Sequence, residues 1–176
     1  MTTWQSHPLD IRLEPRECAL LVVDVQVDFC SPHGIAARKL NNSEMQALPA
    51  KINEFVRYFQ PLSGLLIYIK ASIDLNNRPE NLRFMENLKG VTRPTQKDSA
   101  GAEFYGLDIP DDAVILEKPY MDAFSYTNLK AVLEERNIKH VLVCGVRTEL
   151  CVDMTARRAC SEGYNVFVLK DLVATR

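Results

Sequence analysis

The chain predicts an α/β fold, a doubly wound parallel sheet between two helical layers, and three observations carry that expectation. Short apolar runs recur at 19–23, 65–69, 113–116, 141–144 and 166–169. Each is continuous and rich in Val, Ile and Leu, the pattern of strands buried on both faces. Segments with helical spacing separate them, and strand–helix–strand alternation puts helices on both sides of a parallel sheet. A length of 176 residues suits one domain spanning 1–176, with room for a sizeable core.

The polar stretch 1–16 reads as an N-terminal extension and lacks the apolar segment of a secretory signal. The first strand, Ala19-Leu20-Leu21-Val22-Val23, stops at Asp24. Met45, Leu48, Ile52, Phe55, Val56 and Phe59 then repeat at three- and four-residue steps, a helix whose start Pro49 obscures. The second strand, 65–69, runs into Lys70. Residues 71–112 form a long polar connection containing Pro79, Gly90, Pro94, Gly101, Gly106 and Pro110. Connections of that length in a compact domain are functional loops or lids.

The third strand, 113–116, is followed by Glu117 and Lys118. Tyr126, Leu129, Val132 and Leu133 predict a helix behind Asp122 or Ser125 as caps. The fourth strand, 141–144, breaks at Gly145, and a helix through Met154, Ala156, Ala159 and Cys160 stops at Gly163. The fifth, 166–169, lies just before the end at Arg176. A doubly wound sheet ordinarily covers its last strand with another helix, so the end at Arg176 is abrupt.

Composition excludes several function classes. A formal net charge of −2 with interspersed signs offers no basic surface to nucleic acid or an anionic membrane. No apolar run approaches the ~20 residues of a membrane span. The five cysteines are odd in number, and Cys18, Cys144 and Cys160 fall inside apolar patterns. That reads as reduced core thiols in a cytoplasmic protein, with Cys30 in a loop, and not as a disulfide framework. His7, His33 and His140 lie in unrelated segments, and no Cys/His cluster has zinc spacing, so neither a metal nor a cofactor is expected.

Ligands of an open parallel sheet bind at the carboxyl ends of its strands. Those ends carry Asp24, Lys70, Glu117 with Lys118, the segment 147–151, and Lys170 with Asp171. Cys151 is the most informative of these. It falls in the first turn of a helix, where unpaired backbone N–H groups and the helix dipole favour thiolate. A thiolate, a carboxylate and an ammonium on one edge suit covalent acyl chemistry on a small molecule. The sulfur attacks a carbonyl, the acid takes the thiol proton and returns it to the leaving amine, and the ammonium holds the charges. Backbone N–H groups of the turn stabilise the oxyanion.

Each residue also has a plainer reading. Asp24 fits a turn cap, Lys118 a solvated lysine with Lys70 as its rival, and Cys151 a small core residue. His33, in the loop after Asp24, is the histidine within reach of this edge, so a Cys–His dyad stands as the weaker alternative to an Asp24 base. Arg147 fits either a substrate carboxylate or a pair with Glu149.

Three segments, in order and each at a strand end, resemble the isochorismatase-like cysteine hydrolases, a superfamily that includes nicotinamidases, N-carbamoylsarcosine amidohydrolase and ureide-type amidohydrolases. They are Ala19-Leu20-Leu21-Val22-Val23-Asp24-Val25-Gln26-Val27-Asp28-Phe29, Glu117-Lys118-Pro119-Tyr120-Met121-Asp122-Ala123-Phe124 and Gly145-Val146-Arg147-Thr148-Glu149-Leu150-Cys151-Val152. The resemblance runs from about Cys18 to the end. It implies an Asp24–Lys118–Cys151 triad on a Rossmann-like sheet of order 3-2-1-4-5-6; chains of this family usually continue with another helix and strand, so truncation, or an edge completed by a partner, is expected here. It also implies a non-proline cis peptide at Val146–Arg147 in the oxyanion turn, with Gln26, Phe29 and Phe124 lining or bracing the substrate pocket. The activity implied is hydrolysis of a C–N bond in a small amide, ureide or carbamoyl compound through a Cys151 thioester, in a homodimer or homotetramer.

The Asp-x-His metal motif of the nicotinamidases is replaced by Ser72-Ile73-Asp74-Leu75-Asn76-Asn77, so a metal-dependent nicotinamidase is not expected. Two alternatives remain open at this point: vinyl-ether hydrolysis of the isochorismatase type, and a non-catalytic binding or scaffold domain that retains the fold.

Overall fold

The computed structural model describes residues 12–35, 43–74, 76, 79–89 and 94–175. His7 with most of the N-terminal extension, Leu75, Asn77 and Gly90 lie outside the described residues. In chain order the elements are β1 (Cys18–Val23), α1 (Val27–Cys30), α2 (Ser43–Phe59), β2 (Leu65–Ala71), α3 (Glu80–Lys89), β3 (Val114–Lys118), α4 (Leu129–Glu135), β4 (His140–Val146), α5 (Asp153–Ser161) and β5 (Asn165–Ala174). All neighbouring strands are parallel, in the order β3-β2-β1-β4-β5. This is the expected fold class, with the five anticipated strands in the anticipated order.

The two-sided burial inferred from the apolar runs is visible residue by residue in β1. Leu20 and Val22 join a cluster with Met45, Leu48, Ile52 and Val56 of α2, whereas Ala19, Leu21 and Val23 join one with Leu129, Leu133, Ala156 and Ala159 of α4 and α5. Successive side chains of a strand point to opposite faces, so one continuous run serves both layers. No helix among the described residues is long and apolar enough to cross a membrane.

Some boundaries differ from the sequence reading. Pro49 lies inside α2, where it removes one helical hydrogen bond, and its side chain is buried beside Gly106 of the long connection. Helix α4 starts at Leu129, and Tyr126 stands before it, 77% exposed with φ 60°. The cap chemistry that suggested an earlier start builds a turn instead. Asp122 Oδ1 accepts from Phe124 N at 3.0 Å and Ser125 N at 2.9 Å, and Thr127 Oγ1 accepts from Leu129 N at 3.2 Å. Strand β5 continues well past Leu169, because as an edge strand it tolerates exposed Lys170 and Asp171. Gly163 ends α5 as expected, with φ 96° and its N–H on Cys160 O at 3.1 Å.

Two cysteines fall elsewhere than expected. Cys160 is exposed, because the buried face of α5 is Thr155, Ala156 and Ala159. Cys30 is not in a loop but closes α1, fully buried in the α2-side core. Burial pushes its thiol up to about 12.

Gly145 brings β4 against β1. It pairs with Val23, and a Cβ built on it would lie 2.0 Å from Val23 O, at a φ of 115° that side chains avoid. The close approach puts the ends of β1 and β4, and therefore Asp24 and the segment after β4, side by side.

Candidate active site

The period of the strands decides which lysine reaches the site. Lys70 pairs in register with Glu117, and Ala71 with Lys118, so 117 and 118 face opposite sides of the sheet. Lys70 is held by Glu117 at 3.4 Å and Glu103 at 3.8 Å and lies 5.9 Å from the Phe104 ring centroid. Lys118 turns inward. Its Nζ lies 2.8 Å from Asp24 Oδ2, with side-chain exposures of 0% and 1%, and also donates to Tyr120 O at 2.9 Å.

Asp24 leaves β1 in the left-handed region, φ 55°, which Asp tolerates better than most residues. Its N–H stays bound to Ile69 O of β2 at 2.9 Å, so the turn is anchored while the carboxylate swings under the strand ends. Oδ1 has no hydrogen-bond partner among the described residues, which leaves an acceptor available to a reacting group.

Cys151 belongs to a five-residue π-helical turn, Thr148–Val152, that leads into α5, and the Val146–Arg147 peptide before it is cis. The half-buried thiol is close enough to both Asp24 and Lys118 to interact with each. Burial pushes this thiol above its ordinary value, Asp24 adds to the rise, and Lys118 opposes it without cancelling it. The helix-start argument for a resting thiolate is therefore overridden, and the sulfur rests protonated. For Lys118, burial alone would favour loss of its charge. The negative charge of Asp24, with a smaller contribution from Cys151, more than offsets that, and its proton is held more tightly than usual.

These three side chains share the wall of a cavity of about 240 Å³ with Phe29, Ile73, Leu82, Thr95, Tyr120 and Arg147. Of the expected pocket residues, Phe29 is on that wall. Gln26 is fully buried behind it and braces the strand ends: its Nε2 donates to Ala71 O at 2.9 Å and Ala102 O at 2.7 Å, and its Oε1 accepts from Ala71 N at 2.9 Å. Phe124 packs into the core beside Tyr164, ring centroids 6.3 Å apart. Val146 and Arg147 line the cavity, and Arg147 Nη2 pairs with Glu149. His33 is exposed and away from the cavity lining.

Ile73, Leu82 and Thr95 were not singled out by sequence. They come from the long connection, whose polar, irregular pattern gives no sign of which residues turn inward. Tyr120 is tied to α3 by a 2.8 Å bond from its hydroxyl to Asn81 Oδ1. That contact gives the connection a second anchor at the cavity mouth.

An isochorismatase domain model matches residues 18–176. The uncharacterized isochorismatase family protein YddQ of Bacillus subtilis is 28% identical over 162 residues, covering 89% of this chain and 77% of that protein. The crystal structure of the pyrazinamidase of Pyrococcus horikoshii in complex with zinc superposes with a TM-score of 0.76 at 34% identity, covering 90% of this chain and 87% of that one. The N-carbamoylsarcosine amidase from Thermoplasma acidophilum superposes with a TM-score of 0.77 at 26% identity, covering 90% and 84%. Among the described residues, no group of three His, Cys, Asp or Glu side chains is placed to hold a metal ion.

Proposed function

The chain belongs to the isochorismatase family and is a hydrolase; from that premise we propose that it cleaves a C–N bond of a small amide, ureide or carbamoyl compound through a thioester on Cys151. The observation that carries this reading is the meeting of the Cys151 thiol, the Asp24 carboxylate and the Lys118 ammonium on one small cavity.

Because the thiol rests protonated, attack and deprotonation are coupled. Asp24 takes the thiol proton as sulfur bonds to the substrate carbonyl carbon, and the carbonyl π electrons move to oxygen. Backbone N–H groups of the turn around Arg147 and Cys151 receive that oxyanion. Lys118 keeps the carboxylate charge-balanced while it is a base and stays an ammonium throughout. Collapse of the intermediate breaks the C–N bond, and the proton on Asp24 goes to the leaving nitrogen. Asp24 then deprotonates a water that attacks the thioester, and the acid leaves with the thiol restored.

The apolar share of the wall, with Phe29, Ile73 and Leu82, suits a small organic body around the reacting carbonyl. The test is a coupled ammonia assay across small amides, ureides and carbamoyl amino acids, with Cys151→Ala as control. Ammonia release that vanishes in the variant supports the reading. Pyruvate release from isochorismate, with no ammonia from any amide, replaces it with vinyl-ether hydrolysis.

A further inference from the structure

One polar side chain on the cavity wall has no part in the reaction as proposed. Thr95 is fully buried, and its hydroxyl oxygen has no hydrogen-bond partner among the described residues. Its backbone holds a φ of 57°, which a β-branched residue adopts only under strain. The conformation is pinned from two sides. Thr95 N donates to Asp28 Oδ2 at 2.7 Å, and Thr95 O accepts from Ile73 N at 3.0 Å. Asp28 belongs to the same short helix as Phe29, and Ile73 and Phe29 are themselves on the wall. Strain and an unmet hydroxyl are both unfavourable, and an apolar residue of the same shape would avoid the second.

We propose that Thr95 is a specificity-determining residue whose hydroxyl hydrogen-bonds a polar atom of the substrate other than the attacked carbonyl. The attacked carbonyl belongs at the 147–151 turn, whereas Thr95 is fastened to α1 and the connection after β2. Arg147, also on this wall, carries a buried Nε without a partner among the described residues, a donor with no acceptor capacity. An acceptor oxygen satisfies either donor, so the substrate class is a small amide or carbamoyl compound carrying a hydroxyl or carboxylate besides its scissile bond. This deepens the proposed function and rests on it for the identity of the reacting group.

The test is a binding measurement in the full chain bearing Cys151→Ala, which cannot turn over. Ligand-observed NMR gives dissociation constants for two matched probe pairs, lactamide against isobutyramide and succinamate against 4-methylpentanamide. In each pair an oxygen-bearing group replaces an apolar one of similar shape. The expected result is that at least one oxygen-bearing probe binds about tenfold or more tightly than its isostere. Adding Thr95→Val erases that ratio, adding Thr95→Ser keeps it, and the melting temperature is not lowered by Thr95→Val, because no internal bond is lost and an unmet buried hydroxyl is removed. A ratio that survives Thr95→Val, or the absence of any preference in the parent, overturns the proposal. So does a melting temperature lowered by Thr95→Val without a change in the ratio, which marks a structural hydroxyl. The proposed function fails on a different readout, the absence of ammonia release by the wild-type chain.

Discussion

Replacing Lys118 by methionine isolates the electrostatic core of the site. At 2.8 Å and an effective dielectric constant of about 20, the attraction between its ammonium and Asp24 is about 6 kcal/mol. Desolvating two ions offsets most of that, so the pair as a whole adds little net stability. Removing one partner is a different matter, because the other charge then stays buried alone, at a cost of about 3–5 kcal/mol. In a chain of this size each kcal/mol moves the melting midpoint by about 2–4 °C, which gives a fall of about 6–20 °C at pH 7. Neutralising both partners, in Asp24→Asn with Lys118→Met, restores most of the lost stability while leaving no base. Urea melts of the wild type, both single variants and the double variant close the cycle. A Lys118→Met chain within about 1 kcal/mol of wild type, or a double variant no better than the single, refutes this account of the pair.

Four further outcomes follow from particular contacts. Because burial and Asp24 hold the Cys151 thiol above its ordinary value, the thiolate absorbance difference at 240 nm between wild type and Cys151→Ser stays flat from pH 6 to 8; a thiolate already present at neutral pH contradicts the resting state described. Unfolded cysteine loses its proton near 8.5 while the folded thiol keeps it, so this group costs stability as pH climbs above that value, and Cys151→Ser lessens the alkaline loss seen in thermal melts. Gly145→Ala forces a Cβ to within 2.0 Å of Val23 O at a φ of 115°, and chemical melts are expected to show a loss of about 3 kcal/mol or more; a near-neutral effect means that the β1–β4 approach is looser than described. Lys70→Ala breaks ion pairs with partners that are half-exposed or more, so it costs at most about 1 kcal/mol and keeps ammonia turnover within a few-fold of wild type, in contrast to Lys118→Met. Equal loss in both variants removes the distinction between the two lysines.

The contrast between these lysines shows what the sequence could and could not convey. Both stand at strand ends, and the apolar runs alone left them as rivals. The parallel register of β2 with β3, which sends 70 and 117 to one face and 71 and 118 to the other, separated them. The strands themselves were legible because a run buried on both faces needs no alternation to be recognised, and Gly145 marked the break before the nucleophile turn. Helix ends were harder to place. Asp122 and Thr127 use the same hydrogen-bonding chemistry to build a turn as they would to cap a helix, so Tyr126 was drawn into α4. For Cys151 the helix start speaks for thiolate, whereas burial, which no local sequence signal reports, pushes the thiol the other way. Thr95 gave no sign at all, since nothing local distinguishes a threonine forced to positive φ by contacts with Asp28 and Ile73 from any loop threonine.

Acid-quenched intact-mass spectrometry of the protein during turnover of its best amide tests the covalent mechanism most directly. The account predicts a species heavier by the substrate acyl group less one hydrogen, mapping to the peptide that contains Cys151 and absent from Cys151→Ala, which releases ammonia only at background. Sustained ammonia release by Cys151→Ala would contradict it.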